Sequence, residues 1–292
     1  MMAGTPFAPV VRRDVFDRKV MKRNALLLLA AFALNGCDVS LDEETALGEE
    51  NAREINAQLP IVSDPAINDY LSALGDSIAR HTSRSDLDWH FFIVNSHQVN
   101  AFSLPGGFVY VNRGLIESTD RLDELAGVLG HEIGHVIQRH SVKQMQSSQK
   151  IGIVATLACT LTNVCNSELG QAAINIGGSA VIAKHSRSDE LQADSEAVEN
   201  VVRVGIDPEG IPALFEALVQ QRKFQPTRVD AWFATHPLEE SRIENARDLI
   251  ATLGADAQGG LLQDTPAYHD FRERVRRLPA PPRAPSPEEA GQ

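Results

Sequence analysis

The strongest chemical signal in this chain is five residues long: His131-Glu132-Ile133-Gly134-His135. Two histidines four apart on a helix project from one face, close enough to share a metal ion. The glutamate after the first histidine then lies beside the metal, where it can take a proton from water. Two imidazoles do not complete a catalytic zinc site, which takes three protein ligands and leaves one position for water. A histidine six residues beyond the second, after a glycine, is one solution; Gln138 and Ser141 occupy those positions and exclude it. His140 falls one residue short and, on a continuous helix, projects about 100° from the required face. It reads as a surface residue or as a support for a ligand. A glutamate on a later helix is the other solution, and Glu190-Leu191-Gln192-Ala193-Asp194 supplies it. Glu190 can reach the metal, while Asp194, on the same face, can accept a hydrogen bond from the second ring nitrogen of a ligand histidine. Alone, such an acidic pair is a solvated helix face; downstream of His131–His135 it becomes the leading candidate for the third ligand.

The elements that must hold these residues follow from periodicity. Asp120 to Ser141 reads as one helix, capped at Thr119 or Asp120, with an apolar stripe of Leu122, Leu125, Leu129, Ile133 and Val136 and the two histidines off that stripe. Gly127, Gly130 and Gly134 weaken it by propensity, so close packing or access to a site would require them. Upstream, Asp64-Pro65 opens a helix over Ala66 to His81. Strands are expected at Trp89 to Val94, Asn100 to Leu104 and Phe108 to Val111, the last two joined across Pro105-Gly106-Gly107 as a short antiparallel sheet. Residues 150–183 are apolar and helical in tendency, but polar residues interrupt every run long enough to span a bilayer. Helices follow at Ser186 to Val204, from Asp207-Pro208 through Phe224, and at Pro237 to Leu253. Leu278 to Gln292, rich in proline, alanine and glutamate, reads as disordered.

Length and a 43% hydrophobic content suit one large domain or two small ones, and a formal charge of −12 argues against nucleic acid as a partner. Before the domain lies a targeting segment. Met21-Lys22-Arg23-Asn24 and the apolar run Ala25 to Leu34 make a secretory signal, with Met1 to Val20 as an upstream extension. Leu34-Asn35-Gly36-Cys37 resembles a bacterial lipoprotein signal, with Cys37 as the lipidated residue; cleavage nearby without lipidation is the alternative. Cys159 and Cys165 are left either as a small disulfide loop in an oxidising compartment or as two buried thiols. The organisation expected is leader 1–36, tether 37–50, domain 51–253 and tail 254–292.

Five separated motifs appear in order: Asn100-Ala101-Phe102, Pro105-Gly106-Gly107, His131 to His135, Glu190 to Asp194, and His236-Pro237 followed by Arg242. Together they resemble the gluzincin endopeptidases that include HtpX-type heat-shock proteases and the CAAX prenyl endopeptidase, peptidase family M48, in its soluble periplasmic lipoprotein branch. The resemblance covers about Asn51 to Leu253. It implies an α+β, mostly helical zincin-like metalloprotease domain with a small antiparallel sheet. It further implies one zinc ion per chain on His131, His135 and Glu190, with Glu132 as the proton-transferring residue. Asn100, Ala101 and Phe102 would belong to an exposed edge strand that pairs with a peptide substrate. His236, which on sequence alone reads as a helix-capping turn, would stabilise the oxyanion or cap the zinc at rest. Arg242 would orient that segment or pair with a carboxylate. The implied function is an endopeptidase of the bacterial cell envelope, acting on misfolded or misassembled proteins from a lipid-anchored position in the periplasm, on the inner or outer membrane. A zinc-bearing chaperone or assembly factor with little proteolysis is the alternative; a hydrolase of small amides shares the ligands but has no use for a peptide-binding strand.

Overall fold

The computed structural model describes residues 39–147, 185–237, 240–253 and 259–281. The leader with Cys37, the 150–183 segment with Cys159 and Cys165, and the end of the tail lie outside the described residues.

Helix α1 (Leu41–Gln58) begins at a capping box: Ser40 Oγ accepts from the Glu43 N–H at 3.2 Å, and the Glu43 carboxylate takes the Ser40 N–H at 2.8 Å. This corrects the reading of 37–50 as a tether. Glu44 is buried and pairs with Arg84 and Arg139, so the folded domain starts well before Asn51. At Gly48 a Cβ would stand 1.9 Å from the Pro105 carbonyl oxygen, which seats α1 directly on the turn between two strands. Helix α2 (Pro65–Ala79) starts as expected, with Asp64 accepting from the Ala66 and Ile67 N–H groups.

Strands β1 (His90–Val94), β2 (Ala101–Leu104) and β3 (Phe108–Asn112) form one sheet in the order β1-β3-β2. The β2–β3 hairpin is antiparallel, and Gly106 and Gly107 turn it at φ 81° and 98°, a region open to glycine. The sheet as a whole is mixed rather than antiparallel: β1 lies parallel to β3, from His90 beside Phe108 to Val94 beside Asn112. A hairpin is written in local turn residues, whereas the flank that a third strand joins is settled by the crossing of residues 95–100. Both faces of the hairpin are buried. Ala101, Val109 and Val111 join the main core, while Phe92, Tyr110 and Phe102 stack at 4.8 Å spacing in the cluster that includes Ala52 and Ile55 of α1.

A short helix, α3 (Arg113–Ser118), follows β3 without a loop, and Thr119 closes it. Thr119 therefore does not cap the histidine-bearing helix, α4 (Leu122–Ile137), whose N-terminal residue Arg121 makes no side-chain cap. Asp123 and Glu124 instead place negative charge at its positive end. Every residue of α4 from Leu122 to Val136 is buried, so the face carrying His131 and His135 is covered as fully as the apolar stripe. The helix stops at Ile137; Arg139 adopts φ 56°, and helical structure resumes only over 140–147.

Helix α5 (Arg187–Arg203) has its own capping box, Ser186 with Asp189. Two glycines of α4 bring it close. A Cβ at Gly130 would stand 3.1 Å from Ala197 Cα, and one at Gly134 would stand 3.0 Å from the Ala193 carbonyl oxygen. Helices α6 (Gly210–Phe224), α7 (Pro226–Thr235) and α8 (Glu240–Thr252) complete the core around α4 and α5. The expected domain end at 253 is also corrected. Helix α9 (Pro266–Arg276) buries Tyr268, Phe271 and Val275, and Phe271 stacks on Tyr70 of α2 at 4.4 Å. Leu278 and Pro279, assigned to a disordered tail, are held by Arg113, which donates to both carbonyls. No helix among the described residues is long and apolar enough to cross a membrane.

Candidate active site

The close approach of α4 and α5 sets Glu190 and Asp194 against the two histidines. His131 Nε2 and His135 Nε2 are 3.0 Å apart. Glu190 places Oε2 3.6 Å from the first and Oε1 3.5 Å from the second. His236, at the C-terminal end of α7, brings Nδ1 to 3.3 Å from both His131 Nε2 and Glu190 Oε1. One ligand atom from each of these four residues lies within 4.8 Å of every other, and all four side chains are buried. Ligand atoms around a tetrahedral ion with bonds of about 2.0–2.1 Å stand roughly 3.4 Å apart, so the spacing suits one shared cation. Glu132 adds a second observation. It is fully buried, yet among the described residues neither carboxylate oxygen has a hydrogen-bond partner, and His236 Nε2 approaches no nearer than 3.4 Å. Lone pairs gathered this way without donors cost free energy unless a cation or a proton-bearing substrate joins them. The residues present therefore fit a metal.

Behind this set stands Arg242 of α8. It holds Asp194 with two bonds, Nε to Oδ2 at 2.8 Å and Nη2 to Oδ1 at 2.7 Å, and reaches Glu190 Oε2 through Nη1 at 2.5 Å. Asp194 Oδ1 also lies 2.9 Å from His131 Nδ1. A single guanidinium thus fixes the third ligand candidate and the carboxylate that orients the first histidine. Electrostatics follow the geometry. Burial alone would raise both carboxyls, but His236 and the imidazole hydrogen bonds hold Glu190 low, and His131 and Arg242 hold Asp194 low. Burial keeps His135 well below its ordinary range. For His236 burial is outweighed by the Glu132 and Glu190 charges, which raise it.

The structure also places the remaining expected residues. Asn100 precedes β2, and its carbonyl accepts from the Asn112 N–H. Because that pair bonds across the hairpin, the backbone groups of Ala101 and Ser103 face away from β3. The Ala101 carbonyl indeed lies 3.4 Å from His236 Nε2. Phe102 points to the opposite side, into the α1 cluster. The strand is an edge in topology, but all four of its residues are buried rather than exposed. His140 is likewise buried, with Nδ1 2.8 Å from His135 Nδ1, and is no surface residue. The break at Arg139 moves it off the projection of a continuous helix.

Two site residues escaped sequence reasoning. His185 stacks on His135 with ring centroids 3.9 Å apart, and burial, followed by the His236 charge, pushes it down to about 4. Trp232 lies 4.5 Å from the His236 ring. The position of His185, one residue before the cap of α5, was the available hint; its partner lies 50 residues away in sequence. Trp232, four residues before His236, carries no such signal.

Two imidazoles and a carboxylate converging from two packed helices, with a glutamate beside the first imidazole, are the donor set expected of a metallopeptidase. The chain belongs to Peptidase family M48, whose profile matches residues 65–250. The beta-barrel assembly-enhancing proteases of Yersinia pestis and of Escherichia coli (strain K12) are each 30% identical to it over 219 residues, 73% of this chain and 45% of theirs. The chain thus spans about half the length of these relatives. Metalloprotease LoiP of Escherichia coli (strain K12) is 27% identical over 239 residues, 80% of this chain and 91% of that protein.

Proposed function

We propose that this chain is a zinc endopeptidase of the bacterial cell envelope that hydrolyses misfolded or misassembled proteins, exported by its leader and anchored in the periplasm through Cys37. The observation that carries the catalytic reading is the convergence of His131, His135 and Glu190 beside an unpartnered, buried Glu132. A zinc ion held there supplies Lewis acidity, polarising a carbonyl and acidifying water. Glu132 takes the proton of the attacking water and passes it to the leaving amine, a role open to it because no hydrogen-bond donor among the described residues occupies its oxygens. Arg242 and Asp194 keep His131 and Glu190 in place while charge shifts. The outward backbone groups of Ala101 and Ser103 offer main-chain pairing to an extended peptide, which tolerates many sequences. Envelope substrates are supported by the relatives named for β-barrel assembly.

Replacing Glu132 with Gln is expected to leave zinc bound and to lower casein cleavage by a factor of about 10²–10⁴. Cleavage at the wild-type rate sinks the mechanism.

A second reading, a zinc-bearing assembly factor with little proteolysis, draws on His236. Its Nε2 lies 3.4 Å from both Glu132 Oε1 and the Ala101 carbonyl, and its Nδ1 faces the ligand set. In that position His236 would cap a bound metal at rest. His236→Ala should raise cleavage of casein if the cap restrains a protease; no cleavage by either form favours the assembly factor.

A further inference from the structure

Each ligand histidine has a second ring nitrogen, and the two are handled differently. His131 Nδ1 meets the carboxylate of Asp194 at 2.9 Å. Among the described residues His135 Nδ1 meets no carboxylate; it lies 2.8 Å from His140 Nδ1, with both rings buried. Which nitrogen carries the proton follows from the far side of His140. Its Nε2 lies 3.3 Å from Gln192 Oε1 and 3.6 Å from Asp189 Oδ1, both on α5. An ionised carboxylate only accepts, and the Gln192 amide nitrogen is already turned to Ser188 Oγ at 3.2 Å. His140 Nε2 is therefore the N–H, its Nδ1 carries the lone pair, and His135 Nδ1 must donate to it. His135 Nε2 is left with its lone pair directed at His131 and Glu190.

We infer that His140 is a positioning residue that selects the metal-binding tautomer of His135 through a relay, His135 to His140 to Gln192 and Asp189. Free histidine favours the opposite arrangement, with the proton on Nε2, so the relay removes a state in which His135 cannot ligate. The relay exists because α4 stops short. Arg139, left-handed at φ 56°, is tied by Nε to Glu44 Oε2 at 2.6 Å and by Nη2 to the Val39 carbonyl at 2.5 Å. That turn swings the next residue back beneath His135. The ring of His185, stacked on His135, restrains the same imidazole from its face.

The inference rests on the metal site proposed above, and zinc affinity separates the two. In the full chain, chelator competition should show that His140→Phe weakens zinc binding about 10–100-fold. His140→Gln, which can still accept and donate, should recover most of that loss. Wild-type affinity in folded H140F, or no recovery in H140Q, overturns the positioning role but leaves the metal site standing. A wild-type chain that takes up no zinc overturns the site itself. A second measurement needs no variant. Imidazole ¹⁵N resonances of the metal-free wild type should show His135 protonated at Nδ1 and His140 at Nε2; the reverse tautomer at His135 overturns the inference.

Discussion

Two buried polar knots organise this molecule, and they are built on opposite rules. Around Arg113 every nitrogen has an assigned acceptor: Nε donates to Glu117, Nη1 to Asn95, Leu278 and Pro279, and Nη2 to the Arg276 carbonyl. The cation is matched by one carboxylate and a ring of carbonyls, and the result joins α3 to the end of α9. Around Glu190 the balance is reversed. Three imidazoles and a carboxylate converge their ligand atoms on one place, and Glu132 beside them has no hydrogen-bond partner among the described residues. A saturated knot holds parts together; a knot left short of donors is a place for a cation and a proton-bearing substrate. Arg242 shows where the second passes into the first, since it saturates Asp194 while leaving the ligand face of the histidines free.

The sharpest way to break the comparison is to remove each arginine. Arg113→Met and Arg242→Met should each cost about 3–5 kcal/mol in denaturant unfolding, because each leaves buried acceptors without a donor. Only Arg242→Met should also weaken zinc binding, by about 10–100-fold in chelator competition. Equal loss of zinc in both variants would mean that the knots are not separate. A smaller effect tests how the open knot is assembled. Gly134→Ala puts a methyl 3.0 Å from the α5 backbone, and α5 must retreat with Glu190 and Asp194 on it. A net loss of about 1–2 kcal/mol is expected, overpacking exceeding the gain in helix propensity, together with weaker zinc binding. Unchanged zinc affinity would show that the site does not depend on that close approach.

The smallest effect lies at the saturated knot. Burial would raise Glu117, but the hydrogen bond and charge of Arg113, with His97 and Arg228, hold it below its ordinary value. A depressed carboxyl contributes stability that is complete above its unfolded value of about 4.3 and is lost as pH falls through the folded one. Glu117→Gln should therefore lower Tm near pH 7 and match the wild type in acid. A gap in Tm that stays constant as the pH falls through the acid range would remove the ion pairs from the account.

Much of the site was legible because it is written in helical spacing. His131 with His135, and Glu190 with Asp194, each share a face by the 3.6-residue period, and capping signals at Ser186 and Asp64 start their helices where expected. The need for a third metal ligand then linked two helices that are distant in the chain. What local pattern could not carry is equally specific. The parallel placement of β1, the packing of α1 and α9 into the domain, the turn at Arg139 that returns His140 to the site, and His185 stacked on His135 all arise between residues far apart in sequence or from a backbone turn that tertiary partners impose. The sequence by itself determined which side chains share a helix face, since backbone geometry sets that at short range. Only the tertiary structure decided which faces meet, how closely the glycines of α4 admit α5, and which second nitrogen each histidine turns to which partner, because those depend on packing across the whole chain.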